Sequence, residues 1–371
     1  MLCKIFTTAG LTVTRIKSLV SLVVNFCGYL EWWEKPIKGR ILNMNILIIG
    51  GTGNISSEVA DVLYKQGHSI TVVTTGKHHV PVKYKQIKAD RQNQSEFKNA
   101  LSDVIADIVI DFFAFVPEHC RTDFEIFKGK IRQFIFISSA TVYQKPHKKL
   151  PISEETVLDN RFWKYAQDKI ECERFLNSVN NSFFPVTIVR PSHTFGRTWI
   201  PSPVNGSDFT IANRILNGKP VIIHDKGESL WTLTASSDFA SGLAGLVGNM
   251  DAIGESFHIT SDESLTWNSI YNIIGYALGK KPQIVHIPSD FIARVYPESY
   301  GMLMGDKKEH GVFDNSKIKK FVPGFKCNKT FSIAIRESIN WFMKDEQRMV
   351  IDIEQDRLID SIINQWLNYN N

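Results

Sequence analysis

A tyrosine and a lysine four residues apart, Tyr165 and Lys169, are the side chains in this sequence whose spacing most directly suggests chemistry. On a helix, side chains four residues apart lie on one face. A tyrosine can exchange a proton with the oxygen of an alcohol or a ketone, but its ordinary pKa of about 10 leaves little phenolate at neutral pH. A nearby ammonium favours the phenolate and lowers the pKa of the tyrosine. The pair therefore predicts general acid–base chemistry on an alcohol or a ketone.

Ser139 is expected to join this pair. It lies in the segment Ser138 to Tyr143, Ser-Ser-Ala-Thr-Val-Tyr, directly after an apolar run that indicates a strand. Sites in α/β proteins form at the carboxyl ends of such strands. A serine hydroxyl there can orient a substrate oxygen, although on its own it could equally cap the strand end. A strand-end serine followed by a helical tyrosine and lysine is more specific than the YxxxK spacing, which often occurs by chance.

A glycine-rich turn near Met44 predicts a site for a phosphate-bearing cofactor. Gly50 and Gly53 fit a GxxGxxG fingerprint, whose third position is Ser56, also a small residue. The backbone of such a turn approaches a pyrophosphate closely, and the next helix offers free N–H groups and the positive end of its dipole. An apolar strand before the turn and a helix after it separate the fingerprint from a merely structural glycine cluster. The residues expected to contact the cofactor are Gly50, Thr52, Gly53, Asn54 and Ile55.

The residues expected near the adenosine ribose leave the choice between NAD and NADP open. An acid about 20 residues after the glycines usually binds the ribose hydroxyls of NAD, but Val73 to Lys77 contains none. Lys77 could attract a 2′-phosphate, whereas Thr74 or Thr75 could bind a plain ribose. Asp90, after the third strand, is placed to accept a hydrogen bond from the adenine amino group or to cap its own loop.

The elements that must position these residues alternate between strand and helix. Apolar runs predict buried strands, and a 3.6-residue period predicts helices. This order indicates an α/β fold, a Rossmann-type doubly wound parallel sheet. The predicted strands are Asn45–Ile49, Ser69–Thr74, Asp107–Phe113, Phe134–Ile137 and Val186–Val189, and the main predicted helices are Ser56–Gln66 and Tyr165–Asn177.

After Pro191 the pattern loosens into short strands and helices, which indicates a smaller C-terminal substrate lobe. A last helix, Glu346–Leu367, is expected to pack on its own domain rather than on a second copy. The expected parts are an extension over 1–43, an NAD(P)-binding domain over 44–190, a substrate lobe over 191–345 and a C-terminal helix over 346–371. The lobe strands are Val221–His224, Ser256–Ile259 and Gln283–Ile287, its helices are Asp238–Leu246, Trp267–Leu278 and Phe331–Phe342, and the last helix carries Val350, Ile353, Leu358, Ile362 and Trp366.

The composition is ordinary for a soluble globular protein. Hydrophobic residues make up 43% and charged residues 22%, and the net charge of +5 is spread along the chain. Scattered basic residues give no case for nucleic acid. The five cysteines contain no CxxC pair, so neither a metal site nor a disulfide framework is expected. A reducing compartment, the cytoplasm, fits these cysteines best.

The first 43 residues differ from the rest. The uncharged stretch Ser18 to Leu30 is too short to span a membrane, and Glu31-Trp32-Trp33-Glu34 follows it instead of a signal-peptide cleavage site. Because the predicted fold begins with a strand at Met44, we expect Met44 to be the true start and residues 1–43 to be dispensable. The alternative is a genuine anchor or amphipathic arm.

Together these motifs resemble the extended short-chain dehydrogenase/reductase family, the NAD-dependent epimerase/dehydratase group, from Met44 to about Phe342. The segment Ser-Ser-Ala-Thr-Val-Tyr is similar to the one that UDP-galactose 4-epimerases carry before YxxxK. The resemblance implies that Ser139, Tyr165 and Lys169 are catalytic, and that Lys169 and Pro191 contact the cofactor. It also implies a C-terminal substrate lobe and frequent homodimers.

The sequence departs from the family pattern at three substrate positions. Sugar-nucleotide 4,6-dehydratases carry an Asp-Glu pair where this chain has Ala140-Thr141. The epimerases have an asparagine at the position of His193, and an arginine that grips the nucleotide diphosphate at the position of Trp231. An indole offers one neutral N–H or a surface for a sugar, and the alternative for Trp231 is core packing. We therefore expect Thr141, His193 and Trp231 to face the substrate.

The same alignment predicts no strong binding of a diphosphate. A tryptophan cannot supply the charge-assisted bonds of an arginine. The segment Val221 to Phe239 contains one cation, Lys226, so another would have to come from a distant residue such as Arg197 or Lys317.

Three functions are compatible with these features. The first is an NAD(P)-dependent epimerase or oxidoreductase that acts on a sugar or sugar nucleotide by hydride transfer through a keto intermediate. The second is a dehydrogenase or reductase of a small alcohol or ketone. The third is a non-catalytic nucleotide- or RNA-binding protein, since some proteins similar to this family bind RNA stem-loops. The complete Ser/Tyr/Lys set and the lack of a basic stripe favour an enzyme that binds neither nucleic acid nor membrane.

Overall fold

The computed structural model describes residues 43–202, 204, 206 and 208–370. The predictions made for residues 1–42 lie outside that range. The strands are β1 Asn45–Ile49, β2 Ser69–Thr74, β3 Lys85–Lys88, β4 Ile108–Asp111, β5 Gln133–Ile137, β6 Val186–Pro191, β7 His193–Phe195, β8 Val221–His224, β9 Leu230–Trp231, β10 Leu233–Ala235, β11 Ser256–Ile259, β12 Leu265–Thr266 and β13 Ile284–Ile287. The helices are α1 Ser56–Lys65, α2 Gln94–Leu101, α3 Pro117–Phe127, α4 Lys164–Val179, α5 Thr210–Leu216, α6 Ser236–Leu246, α7 Trp267–Ala277, α8 Ser289–Val295, α9 Tyr300–Met302, α10 Ser316–Phe321, α11 Phe331–Met343 and α12 Ile353–Asn370.

Seven strands form one parallel sheet in the order β11-β6-β5-β4-β1-β2-β3. This order contains the doubly wound pattern 3-2-1-4-5-6, which confirms the predicted Rossmann-type fold. The central strands β4, β5 and β6 are buried at every position, as strands covered by helices on both faces must be. Their carboxyl ends meet at the edge of the sheet where the candidate site lies.

The strand β4 is shorter than predicted because of Asp111. The apolar run Asp107 to Phe113 suggested a longer strand, but pairing stops at Asp111. The Asp111 carboxylate accepts hydrogen bonds from the backbone N–H groups of Phe113, at 2.6 Å, and Ala114, at 3.0 Å. Because the N–H groups of Phe113 and Ala114 donate to the Asp111 carboxylate instead of to a neighbouring strand, the chain leaves the sheet after Asp111.

The strand Ser256–Ile259 was expected in the smaller lobe, but it lies at the edge of the large sheet. It pairs in parallel with β6, where it covers N–H and C=O groups that an edge strand would leave unpaired. The chain therefore returns to the large sheet at β11, after the predicted boundary between the NAD(P)-binding domain and the substrate lobe at Arg190. The positions of the domain boundaries stay predictions.

The smaller lobe has its own apolar core, which includes Trp231, Trp267 and Ile335. The strand β8 pairs with β13, β9 with β12 and β7 with β10, so each sheet in the described part of the lobe has two strands. Trp267 and Tyr271 of α7 are fully buried. Among the residues that the structure describes, no helix combines the length and the apolar character needed to cross a membrane.

The last helix begins later than predicted, at Ile353 rather than Glu346. A short 3-10 turn covers Glu346–Arg348, and the Asp352 carboxylate then accepts a hydrogen bond from the Gln355 N–H, which makes it the N-cap. Ile353 is 60% exposed, whereas Ile362 is fully buried. Ile362 belongs to the core of the smaller lobe and Leu358 and Trp366 pack against it, whereas Val350 and Ile353 of the predicted stripe are exposed.

Candidate active site

Ser139, Tyr165 and Lys169 lie together at the carboxyl end of β5. Ser139 follows β5 and precedes a 3-10 turn at Ala140–Val142, while Tyr165 and Lys169 lie one turn apart on α4. The Ser139 hydroxyl lies close enough to the Tyr165 phenol to lower its pKa. The Lys169 ammonium is buried, with its Nζ 5.9 Å from the centre of the Tyr165 ring. The geometry matches the arrangement expected from the YxxxK spacing.

The pKa of Tyr165 lies above its ordinary value in the protein alone. Burial is the largest influence and raises the pKa of Tyr165 to about 12, and the Asp306 carboxylate raises it further, whereas the Ser139 hydrogen bond lowers it. Burial also lowers the pKa of Lys169. In the protein alone, desolvation of the phenolate is the dominant influence, and the expected lowering of the tyrosine pKa in the cofactor-bound enzyme stays a prediction. Tyr165 holds its proton at neutral pH.

Lys169 retains one donor for a ligand. Its Nζ donates to the backbone carbonyls of Ala114, at 2.7 Å, and Ile137, at 2.8 Å. An ammonium has three N–H donors, so one stays available. Its position beside Tyr165 fits a bond to a ribose hydroxyl, the second role expected for this lysine.

The glycine turn has the geometry that a pyrophosphate requires. Gly50 and Gly51 have φ angles of +110° and +96°, in the region that favours glycine. The Ser56 hydroxyl oxygen accepts hydrogen bonds from the N–H groups of Gly51, at 3.0 Å, and Gly53, at 3.1 Å. The serine at the third position of the fingerprint therefore holds the turn in shape, which explains why the sequence tolerates this departure.

Asn54 provides an independent test of the fit for a dinucleotide. Its Nδ2 is buried and has no hydrogen-bond partner among the described residues, while its Oδ1 accepts a bond from the Thr198 hydroxyl. A buried amide donor without an acceptor is costly, and a phosphate oxygen would satisfy it. The residues of the turn therefore fit NAD or NADP. Of the other predicted contacts, Thr52 and Ile55 lie in the same turn and are half-buried.

Replacing Gly51 with alanine tests this turn. An added Cβ would lie 2.5 Å from Cγ1 of Val72. An alanine in this left-handed backbone conformation would also cost about 1–2 kcal/mol. We expect Gly51→Ala to lower the melting temperature and to weaken NAD(P) binding at least roughly tenfold. Gly279→Ala is the matched control, since Gly279 has a φ of +68° with no atom within 4 Å of a Cβ. Equal cofactor affinity in the two variants would contradict the assignment of the turn.

The remaining cofactor predictions are placed as follows. Asp90 is exposed, and its Oδ1 accepts a hydrogen bond from the Gln92 N–H at 2.9 Å, so the loop-capping role is present. Its contact with adenine stays a prediction. Pro191 ends β6 and is buried. The Thr74 hydroxyl oxygen already accepts a bond from the Gly76 N–H, whereas Lys77 is exposed, so the choice between NAD and NADP stays open.

A buried ion cluster that the sequence did not reveal supports the loop after β4. The Arg91 guanidinium lies 2.7 Å from the Asp111 carboxylate and 2.8 Å from that of Asp123, and both carboxylates are fully buried. Asp111 in turn holds the N–H groups of the loop that presents the Ala114 carbonyl to Lys169. Arg91 and Asp111 are therefore positioning residues for the lysine.

Thr141 and Asn160 connect the catalytic turn to the smaller lobe. The Thr141 hydroxyl donates to the Ser139 oxygen at 3.0 Å. The Asn160 amide donates to the backbone carbonyls of Thr141 and Gly305, each at 2.7 Å. Gly305 belongs to a π-helical turn, Leu303–Lys307, of the kind often found at functional sites. Asn160 and this turn had no local signal in the sequence.

Trp231 lies in the core of the smaller lobe, the alternative considered for it. It is 4% exposed, and its Nε1 donates to the carbonyls of Lys307 and Glu309. The Lys307 ammonium lies 4.2 Å from the centre of one of its rings, a cation–π contact. That face is therefore closed to a sugar. Among the described residues, Trp231 acts as a support for a buried cation rather than as a stacking surface.

His193 also contacts the Lys307 ammonium. Its Nδ1 lies 2.8 Å from the Lys307 Nζ, and its ring stacks against Trp199 with a centroid distance of 5.3 Å. Lys307 is thus a cation beside Trp231 and His193 that the alignment did not name. Of the two candidates named for the diphosphate, Lys317 pairs with Glu255 at 2.7 Å and Arg197 is exposed, and binding of a diphosphate by any of them stays a prediction.

Comparison with known proteins places this geometry in a family. The sequence profile of the NAD dependent epimerase/dehydratase family matches residues 46–260. A curated relative, chloroplast stem-loop binding protein of 41 kDa b from Arabidopsis thaliana, is 28% identical over 66% of this chain and 67% of its own. The 2′-dehydrokanamycin reductase of Streptomyces kanamyceticus is 22% identical over 76% of this chain and 80% of its own.

A solved structure shares the fold. UDP-glucuronic acid 4-epimerase from Bacillus cereus, in complex with UDP-glucuronic acid and NAD, superposes with a TM-score of 0.66 at 19% identity, over 81% of this chain and 99% of its own. The family match covers more than half of the chain and includes the glycine turn, Ser139, Tyr165 and Lys169. The chain therefore belongs to the NAD dependent epimerase/dehydratase family.

Proposed function

We propose that this protein is an NAD(P)-dependent enzyme that oxidises or reduces a sugar or sugar nucleotide, as an epimerase or as an oxidoreductase. The observation that carries the proposal is the placement of Ser139, Tyr165 and the buried Lys169 together, at the same sheet edge as the glycine turn. A stem-loop-binding role, suggested by the name of one relative, does not require these three side chains together.

Tyr165, Ser139 and Lys169 have different roles in the proposed reaction. When bound, NAD or NADP would supply the chemistry of hydride exchange with the substrate carbon. Tyr165 gives its phenolic proton to a carbonyl oxygen in reduction and accepts the hydroxyl proton in oxidation. The Ser139 oxygen accepts bonds from the Thr141 hydroxyl and N–H, at 3.0 and 3.2 Å, so its own hydrogen is left to point at Tyr165 or the substrate oxygen. Lys169 would hold the ribose with its third N–H and would stabilise the phenolate.

The residues after Ser139 support epimerisation or simple redox chemistry over dehydration. Dehydration needs an acid and a base to remove water, whereas Ala140 and Thr141 offer neither a carboxyl group nor another group with that capacity. The runner-up is net reduction of a ketone, because the relative from Streptomyces is named a reductase. Both functions use the same Tyr165 proton, and they differ in whether the cofactor is regenerated within one turnover.

The pH dependence of reduction follows from Tyr165. Its pKa lies above the ordinary value, at about 12, so the protonated form that reduction needs is present throughout the neutral range. With NADH or NADPH and an uncharged ketose, we expect kcat/KM to stay level from about pH 6 to about pH 9, since that quantity reports the free-enzyme pKa. A fall with an apparent pKa near 7 would assign the acid to another group.

The proposal is tested by identifying the cofactor and its fate. Protein purified without added nucleotide is denatured, and the released ligand is identified by mass spectrometry. The refilled enzyme is then given a panel of sugars, uronic acids and nucleotide sugars. An epimerase interconverts two sugars without added cofactor, whereas an oxidoreductase changes absorbance at the nicotinamide band in proportion to product. Failure to bind NAD or NADP, together with salt-dependent binding of an RNA stem-loop, would overturn the proposal.

A further inference from the structure

A buried ion pair between Glu173 and Arg190 connects two of the elements that carry the candidate active site, α4 and β6. The Arg190 Nη2 donates to the Glu173 Oε2 at 2.6 Å, and its Nε donates to Oε1 at 3.0 Å. The Glu173 side chain is fully buried, and that of Arg190 is 5% exposed. Taking two charges out of water is costly, and their mutual attraction often does no more than offset that cost. Stability alone is therefore a weak explanation for this pair.

The other partners of the pair lie at the two ends of the turn that carries Ser139. The Ser138 hydroxyl, directly before Ser139, donates to the Glu173 Oε1 at 2.5 Å. The Arg190 Nη1 donates to the hydroxyl oxygen of Tyr143, directly after the turn, at 3.2 Å. Both of these side chains are buried. The turn is therefore fixed at its start and at its end by the same ion pair.

The helix α4 connects the pair to the other two catalytic side chains. Glu173 lies four residues after Lys169 and eight residues after Tyr165 on this helix. These spacings correspond to about one and about two helical turns, so the three side chains share a face. The pair with Arg190 thus joins the helix of the tyrosine and the lysine to the turn of the serine. The relative position of these two elements determines how far Ser139 lies from the phenol.

The pair is occupied by protein groups, which leaves it no direct role with a substrate. Both oxygens of Glu173 accept hydrogen bonds from the guanidinium, and Oε1 also accepts from Ser138. The remaining Arg190 nitrogen, Nη1, donates to Tyr143 and to the backbone carbonyl of Glu154, each at 3.2 Å. A guanidinium can only donate, and all three of its nitrogens are engaged. The pair therefore acts through the residues that it holds.

We propose that Glu173 and Arg190 are positioning residues that hold Ser139 in place against Tyr165. Glu173 acts through the hydroxyl of Ser138, and Arg190 fixes the far end of the turn. The inference rests on the proposed function, because it takes the serine and the tyrosine as the groups that handle the substrate oxygen. A misplacement of about 1 Å in such a site can lower the rate roughly 10²-fold. A small movement of the serine is therefore enough to affect turnover.

NMR of the full-length protein labelled with ¹³C at the tyrosine Cζ tests the positioning without a substrate. The Tyr165 resonance is the one that is missing from Tyr165→Phe, and Ser139→Ala should shift it because the neighbouring hydroxyl is lost. Ser138→Ala removes one hydrogen bond and keeps the ion pair, and we expect it to shift the resonance in the same direction. Ser289→Ala is the matched control, since Ser289 is also buried and also donates to a carboxylate, that of Asp225. It should leave the resonance unchanged.

Glu173→Gln tests the ion pair directly. The amide keeps an oxygen for Ser138, but it places an N–H group against the guanidinium of Arg190, so the turn should move and the Tyr165 resonance should shift as it does in Ser138→Ala. This variant leaves a buried charge without its partner. If it does not fold, the result for Ser138→Ala decides.

A double-mutant cycle separates positioning from a general loss of structure. With the sugar that turns over, Ser138→Ala should lower kcat roughly 10-fold and leave KM and the affinity for NAD(P) unchanged. In protein that already carries Ser139→Ala, the same substitution should have little further effect, because it acts through that serine.

Two results would overturn the inference: a Tyr165 resonance that does not move in Ser138→Ala, or an equal loss of kcat with and without Ser139. The two proposals fail separately. A shifted resonance in a protein that transfers no hydride to any sugar removes the proposed function alone, whereas normal hydride transfer with an unmoved resonance removes this inference alone.

Discussion

Replacing Tyr165 with phenylalanine is expected to lower turnover by roughly 10²- to 10⁴-fold, the usual contribution of general acid–base catalysis. The substitution removes the phenolic oxygen beside Ser139 and leaves the ring in its half-buried place between Phe115 and Trp163. Affinity for NAD(P) should be unchanged, because the glycine turn and Lys169 are intact. Steady-state rates and cofactor titrations on the same preparations measure both quantities.

Tyr276→Phe is the control for this variant. Tyr276 is 79% exposed on the smaller lobe, so loss of its hydroxyl should change neither rate nor affinity. If Tyr165→Phe kept the wild-type rate, Tyr165 would not be the group that moves the proton. A parallel loss of cofactor affinity would instead indicate that the tyrosine acts by shaping the cofactor site.

Replacing Asp111 with alanine is expected to destabilise the protein by about 3–5 kcal/mol, the usual effect of breaking a buried ion pair. The substitution leaves the buried Arg91 guanidinium with Asp123 alone and frees the N–H groups of Phe113 and Ala114. Because the Ala114 carbonyl then loses its fixed position, Lys169 should also lose a partner. Denaturant unfolding measures the first effect, and NAD(P) titration of the folded fraction measures the second.

Asp103→Ala serves as the control, since Asp103 is exposed in the loop before the same strand and should cost less than about 0.5 kcal/mol. Asp111→Asn keeps an acceptor for the two N–H groups while it removes the charge. Compared with Asp111→Ala, the Asp111→Asn variant should regain more of the affinity for NAD(P) than of the free energy of unfolding. Wild-type stability in Asp111→Ala would contradict the role assigned to the Arg91 cluster.

The parts of the fold that the sequence predicts are those with a local signal. The strands β1, β2, β8 and β11 have the predicted bounds because each is a short apolar run between polar or glycine residues. The glycine turn and the Tyr165–Lys169 spacing are likewise contained within a few residues. Errors occur where one polar side chain overrides the apolar pattern, as Asp111 does at the end of β4 and Asp352 does at the start of the last helix.

The parts of the site that the sequence did not reveal depend on contacts between distant segments. Lys307 and His193 are 114 residues apart, and Asn160 and Gly305 are 145 residues apart. No periodicity connects such pairs, so a lysine in a polar stretch looks like an ordinary surface residue. Trp231 shows the same limit, because only the fold determines that its ring is covered by a lysine rather than open to a sugar.

The most direct test of the central claim follows hydride from the cofactor to the sugar. Wild-type protein and Tyr165→Phe are incubated with NADH or NADPH deuterated at C4 of the nicotinamide, together with a panel of neutral and acidic ketosugars. Deuterium bound to carbon in the product is measured by NMR and mass spectrometry. We predict one deuterium per product molecule with the wild type and a rate at least roughly 10²-fold lower with Tyr165→Phe. Product without deuterium, or equal transfer by both proteins, would contradict hydride transfer assisted by Tyr165.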